Sequence, residues 1–274
     1  MGMRPMIHLR DDTPIQFAVT TSKLAPSTVI AKARDFSVIS GCPYIPRHKQ
    51  AIRRIIADSG MGGAIVFEMD GMVVRVADDV YRFHPNMAKI RITSLLKGGR
   101  DQMADAMQLK SGDFVLDCTC GMGSDAIVAS YVVGEAGNVC ALETSSLLAS
   151  IVHRGLQSYS LPLVPIITEA MRRIKVRHAA SDEVLADLPA KSWDVVYFDP
   201  MFASTIDESK GLGLVRLLGQ PGAPSSNTIH EAVRVARRSV VMKDRWPGDV
   251  LQKIGFRLVS RSERTCFGVI DDWS

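Results

Sequence analysis

The run Trp193-Asp194-Val195-Val196-Tyr197-Phe198 ends in Asp199-Pro200-Met201-Phe202. This places a carboxylate, a carbonyl on a residue with no N–H of its own, a thioether and an aromatic ring in succession. The set suits a planar exocyclic amine. Asp199 and the Pro200 carbonyl each accept one N–H, which aims the nitrogen lone pair outward, and Phe202 stacks on the ring plane. Such a nitrogen is a poor nucleophile until its lone pair is localised, so Asp199, Pro200 and Phe202 are the candidate catalytic residues, with Met201 and Phe202 lining the acceptor. Most of the rate then comes from aligning the nitrogen with an activated carbon, without metal or covalent intermediate. Taken alone, the tetrapeptide also reads as a strand-ending Asp-Pro turn followed by two apolar core residues.

Upstream lies Asp117-Cys118-Thr119-Cys120-Gly121-Met122-Gly123, followed by Ser124-Asp125. Glycine serves where backbone must turn tightly and approach a ligand with no Cβ in the way, and a helix start offers unpaired N–H donors. Asp117, Thr119, Gly121 and Gly123 thus form a candidate nucleotide-type cofactor turn. Glu143 ends the run Val139-Cys140-Ala141-Leu142, where its carboxylate can accept from both ribose hydroxyls. Ala180-Ser181-Asp182 comes third and suits an adenine amine through Asp182. The plainer alternatives are a solvated acid for Glu143 and a helix cap for Asp182, a role open equally to Ser181. A dehydrogenase would use a similar turn and acid but has no need of the Asp-Pro-Met-Phe strand end.

These residues need a scaffold that brings strand ends together. From Asp101 onward strands are expected at Asp113–Cys118, Asn138–Glu143, Ile174–His178, Trp193–Asp199, Arg238–Lys243, Phe256–Ser260 and Thr265–Ile270, with helices between the first five. That alternation predicts an α/β fold with a doubly wound, mostly parallel, seven-stranded Rossmann-like sheet. The short link Arg261–Arg264 makes the last two strands an antiparallel hairpin. Before it, a strand at Ile15–Thr20, helices at Val29–Ile39 and Lys49–Asp58, and a hairpin turning at Asp70-Gly71 predict a small α+β domain over residues 1–88, with the larger domain spanning 89–274. Ile90–Lys97 reads as a connecting helix, and the turn-rich stretch Gly211–Asn227 as a loop over the substrate.

The first 100 residues hold 15 Lys and Arg against 8 Asp and Glu, while the whole chain of 274 carries only +4. A basic front domain suits a polyanionic partner such as RNA, although it also serves solubility alone. Arg47, Lys49, Arg53 and Arg54, with Lys97 and Arg100 near the boundary, are candidate phosphate contacts. Lys243 and Arg245, ending the fifth strand, are expected on the same rim as Asp199. Arg172, Arg173, Lys175 and Arg177 read instead as protection of a sheet edge. No apolar run is long enough for a membrane span, and five cysteines at irregular spacing read as buried thiols of a cytoplasmic protein. Cys118 and Cys120 lack the second ligand pair of a zinc site, so no metal is expected.

The glycine turn, Glu143 and Asp-Pro-Met-Phe, in this order on such a sheet, resemble the class I S-adenosylmethionine (SAM) methyltransferases. Lys97-Gly98-Gly99-Arg100, Asp117–Asp125, Glu143, His178–Ser181, residues 199–202 and Val240–Lys243 are similar to the RsmJ-type family, which methylates a guanine exocyclic amine (N2) in small-subunit ribosomal RNA. The resemblance covers roughly residues 97–271. It implies SAM as cofactor, held or adjoined by Ser124, Asp125, Glu143, Thr144, Ala180, Ser181 and Asp199, and ribosomal RNA as partner. The chain differs from that family's pattern at Ser124, where the family carries Arg, and at Ala203-Ser204-Thr205, where it carries Pro and basic residues. A methyltransferase for a protein or small metabolite, and an RNA-binding protein with an inactive methyltransferase fold, are the alternatives.

Overall fold

In the computed structural model, residues 15–200, 213–219 and 222–271 are described. The chain divides into two compact units between Val80 and Tyr81.

In the first unit, β1 (Phe17–Thr21) is followed by helices Ser27–Ser40 and Ile52–Ser59, then β2 (Gly63–Glu68) and β3 (Gly71–Val76); β4 (Asp79–Arg82) runs across the boundary, and the strand order is β1-β2-β3-β4. The two helices make the long crossover that lets β1 and β2 run parallel, whereas β2 and β3 form a tight antiparallel hairpin. Its register pairs Glu68 with Gly71, so the loop residues are Met69 and Asp70, one position earlier than expected from the Asp-Gly pair. Only Gly71 takes a positive φ, at 149°. Phe17, Val19, Ile65 and Phe67 are buried, and Phe36 reaches from its helix to within 5.4 Å of the Phe67 ring centroid.

The second unit carries helices Asn86–Leu96 and Gln102–Ala106, then seven strands: β5 (Phe114–Asp117), β6 (Asn138–Glu143), β7 (Lys175–His178), β8 (Trp193–Phe198), β9 (Ala236–Arg245), β10 (Arg257–Arg261) and β11 (Thr265–Ile270). They order as β10-β11-β9-β8-β5-β6-β7. Pairs β5/β6, β5/β8, β6/β7 and β8/β9 are parallel, and β11 runs antiparallel to both β9 and β10. This is the expected mostly parallel sheet with its terminal hairpin. Helices on both faces, among them Ser124–Val133, Ser146–Ser158 and Ser226–Val235, cover the buried runs of β5, β6, β8 and β9.

Strand Asp79–Arg82 and helix Gln102–Ala106 were not expected from the sequence, and later elements also differ from it. The stretch expected as a loop, Gly211–Asn227, contains helix Gly213–Leu218 and the start of helix Ser226–Val235, which Ser225 caps by accepting the Thr228 N–H at 3.1 Å. A five-residue helix, Asp249–Lys253, also lies between β9 and β10. No helix among the described residues is long and apolar enough to cross a membrane.

Strand order reverses between β5 and β8: β6 follows β5 outward on one side, and β8 starts the other half. Such a switch point opens a crevice beyond the carboxyl ends of the strands. Asp117 ends β5 there, and Asp199 follows directly on β8.

Candidate active site

Alternation along β8 puts Tyr197 and Asp199 on one side of the sheet, and along β9 the register sets Val241 beside Tyr197, with Lys243 two residues further on. Lys243 Nζ lies 2.8 Å from Asp199 Oδ2 and 3.7 Å from Asp125 Oδ2. Tyr197 donates its hydroxyl to Asp125 Oδ2 at 2.8 Å. Arg91, on helix Asn86–Leu96, also pairs with Asp125, and grips Asp101 with two nitrogens at 2.7 and 2.8 Å. Asp101 in turn accepts the Ala104 N–H at 3.0 Å and caps the next helix. The result is a continuous line of charge: Asp101, Arg91, Asp125, Lys243, Asp199.

The members of this line differ in access. Asp101 shows 6% of its side-chain surface, Asp125 14% and Asp199 36%. Asp199 is therefore the carboxylate a ligand reaches, while Asp125 is an internal counter-charge. Burial raises the Asp199 pKa above the ordinary carboxylate value, against the Lys243 ammonium and helped by Asp125. Burial also presses on Asp125, but the charges of Lys243 and Arg91 outweigh it and hold that carboxyl well below the ordinary range. Burial disfavours the Lys243 ammonium, yet the two carboxylates win and keep it charged.

The glycine turn is tied to the same place. Thr119 Oγ1 accepts the Asp199 backbone N–H at 2.5 Å, and the Cys118 N–H bonds to Tyr197 O at 2.8 Å. Gly121 and Gly123 take φ values of 50° and 77°, where a side chain is strained, and a Cβ on Gly123 would stand 3.3 Å from Val152 Cγ1. Glu143 accepts the Gly121 N–H at 3.1 Å through one oxygen and the Ser145 N–H at 3.0 Å through the other. Asp117 is buried; one oxygen accepts the Thr119 N–H at 3.0 Å, and the other has no hydrogen-bond partner among the described residues. Burial, with the nearby Asp125 and Asp199 charges, lifts its pKa to about 8.

A family model described as "Putative SAM-dependent methyltransferase" matches residues 79–268. The chain belongs to this methyltransferase family. It is also 36% identical to the Bacillus subtilis protein named "Uncharacterized protein YpiP" over 89% of this chain and 94% of that one. Ribosomal RNA small subunit methyltransferase J of Actinobacillus pleuropneumoniae serotype 5b is 29% identical over 61% of this chain and 68% of that one. The SAM-dependent methyltransferase NGO1261 from Neisseria gonorrhoeae superposes with a TM-score of 0.58 at 18% identity, over 93% and 96% of the two chains, which shows a shared fold.

The methyl donor of this methyltransferase is SAM, and the residues present fit it. The positive-φ glycines leave two positions of the turn free of side chains, Glu143 brings a carboxylate to the end of β6, and the unpartnered oxygen of Asp117 suits a cationic or hydrogen-bonding ligand. When bound, SAM supplies a methyl group activated by a positive sulfur.

Hydrogen bonds and ion pairs join Asp117, Thr119, Asp199, Lys243 and Asp125, and Glu143 bonds to Gly121 of the same turn, which Gly123 closes. Ser124 opens the helix behind Gly123. Thr144 is exposed and its carbonyl lies 3.1 Å from His178 Nε2. Ala180, Ser181 and Asp182 stand at the start of helix Ser181–Asp187, where the capping position is Ala180 and no side chain caps the helix. Pro200 is buried; Met201 and Phe202 lie outside the described residues. The Lys243 ammonium is occupied by two carboxylates, and Arg245 ends β9 two residues beyond it. Arg100 is elsewhere: it pairs with Asp105 at 3.0 Å and lines a cavity with Arg257 and Asp271 beside β10.

Sequence reasoning missed Arg91, Asp101 and Tyr197. Tyr197 carried a usable signal, being two residues before Asp199 on the same strand. Arg91 carried none, because its partner Asp125 is 34 residues away.

Proposed function

We propose that this methyltransferase acts on an exocyclic amine of a nucleobase in RNA, and that the target is guanine N2 in small-subunit ribosomal RNA. One observation carries the reading. The accessible carboxylate at the end of β8 is Asp199, followed by Pro200, and its backbone N–H is pinned to Thr119 of the cofactor turn. A group that accepts an amine N–H is thus joined by a single hydrogen bond to the element that holds the methyl donor.

In this reading Asp199 accepts one N–H of the amine through the oxygen that Lys243 leaves free, and the Pro200 carbonyl accepts the other. Lys243 and Thr119 fix the carboxylate's position, and Asp125 with Arg91 fixes Lys243. Chemistry then rests on alignment and on charges set in advance, as expected for a donor that is already activated. The proton lost from nitrogen passes to Asp199 or to water. The similarity to ribosomal RNA small subunit methyltransferase J, over 61% of this chain, supports RNA as the acceptor, as does the excess of basic residues before residue 100.

The test is transfer of labelled methyl from SAM to total RNA and to ribosomal subunits from cells lacking the gene, comparing wild type with Asp199→Ala. Label in RNA with wild type and little with the variant supports the reading. Intact SAM binding with no label in any RNA fraction sinks it and moves the search to proteins and metabolites.

A further inference from the structure

Three residues after Lys243, the chain leaves β9 at Trp246, a large aromatic with 42% of its surface exposed. This indole sits on a closely tied turn. Buried Asp244 accepts the N–H groups of Arg245 at 2.7 Å, Val250 at 3.2 Å and Leu251 at 3.4 Å. The Trp246 N–H bonds to Arg264 O at 3.1 Å, and the Gly248 N–H to Arg245 O at 2.7 Å. Gly248 takes φ 86° where a Cβ would come within 2.9 Å of Cys266 Sγ, so the turn closes around a position only glycine fits.

One arginine lies against the indole, and two more are near it, Arg245 along the chain and Arg264 through its backbone carbonyl. Arg261, exposed at the end of β10, places its guanidinium 4.8 Å from the Trp246 ring centroid. Arg264 is exposed in the β10–β11 link, and Arg245 ends β9. The exposed local acids are Glu263 and Asp249, and Asp244 is buried within the turn. A cavity of about 330 Å³ opens beside Trp246, lined by Leu258, Val259, Ser260, Arg261 and Cys266. Topology sets this cluster at the site. β10 and β9 end, and antiparallel β11 begins, on the rim where β8 delivers Asp199. The rise of a strand puts the Trp246 backbone about 10 Å from that of Lys243.

An exposed indole with a guanidinium over its ring, at the active-site rim and within a neighbouring nucleotide's reach, binds an unpaired base by stacking and its phosphates by charge. We propose that Trp246 and Arg261 form a stacking platform for a single-stranded nucleotide next to the one methylated, with Arg245 and Arg264 on the adjoining phosphates. This rests on the RNA reading above. Trp246 is a positioning residue: it fixes the strand, and the target base stays with Asp199.

The experiment uses the full chain and a short fluorescent single-stranded RNA containing guanine. Its dissociation constant and the KM and kcat for methyl transfer to ribosomal RNA are measured for wild type, Trp246→Ala, Trp246→Phe and Arg261→Gln, with SAM affinity as the check on folding. Trp246→Ala is expected to weaken RNA binding and raise KM by about 5- to 150-fold, the range for loss of one stacked base. SAM affinity and kcat stay within about twofold, and Trp246→Phe recovers most of the loss. RNA affinity and KM unchanged in Trp246→Ala, in a wild type that methylates RNA, overturn the platform and leave the RNA reading standing. A wild type that neither binds nor methylates RNA overturns both.

Discussion

Lys243 Nζ stands 2.8 Å from Asp199 and 3.7 Å from Asp125, so one ammonium on β9 serves a reachable carboxylate and a buried one. Without it, two carboxylates would face each other in a partly desolvated crevice. Lys243→Met should therefore lower methyl transfer about 10- to 100-fold, the scale of one lost charge-assisted hydrogen bond. The Asp199 pKa, already raised by burial, rises further when the opposing ammonium is gone. The acid limb of the rate profile must then move to higher pH. A pH series on wild type and variant checks this, and an acid limb that stays in place contradicts the role given to Lys243.

Glu143 accepts two backbone N–H groups, and its carboxylate charge is the part a ribose would use. Glu143→Gln removes the charge, keeps one acceptor for the backbone and sets an amide donor against the other N–H. SAM affinity measured by calorimetry should fall about 10- to 100-fold, and the unfolding free energy by about 1 to 3 kcal/mol for the N–H left unpaired. A variant that binds SAM like wild type removes Glu143 from the cofactor site.

Asp117 gives a stability signature in the unliganded protein. Its carboxyl titrates at about 8 when folded, above the ordinary value near 3.9 for an unfolded chain. The folded state holds that proton more tightly, so the stability this group contributes is complete below about pH 4 and is lost as pH rises toward 8. The slope reaches at most about 1.4 kcal/mol per pH unit. Asp117→Asn should flatten the decline in urea midpoints between about pH 5 and 8. Equal slopes in the two proteins would show that Asp117 is charged throughout.

Arg91 is the cation between Asp101 and Asp125. Arg91→Leu leaves Asp101 without its partner and Asp125 with Lys243 and Tyr197 only. Removing one side of such a partly buried pair costs about 3 kcal/mol or more. Chemical denaturation should show the loss at neutral pH. A cost under about 1 kcal/mol would mean that the charge line is ornamental to the fold.

The sheet was legible because its strands are short apolar runs that stop at charged or glycine-rich punctuation: Asp117, Glu143, His178 and Asp199 each stand at the end of a run read correctly to within a residue or two. The glycine turn was legible for the same reason, since glycine spacing is local. Helix Asp249–Lys253 was not, because five residues after Pro247-Gly248 carry no helical period. The charge line was least legible of all. Its members Arg91, Asp125 and Lys243 come from three elements spread over the chain, and only the order of strands brings them together. Lys243 was placed on the right rim by its strand position, yet its engagement by two carboxylates depends on helix Ser124–Val133, which packs on β5 and β6 and brings Asp125 to Tyr197 and Lys243.

The most direct test is nucleoside analysis of small-subunit ribosomal RNA from cells with the gene, without it, and carrying Asp199→Ala. The account predicts N2-methylguanosine that disappears on deletion, returns with the wild-type gene and does not return with the variant. Identical N2-methylguanosine in all three, with labelled methyl from SAM appearing only in protein or small molecules, would contradict it.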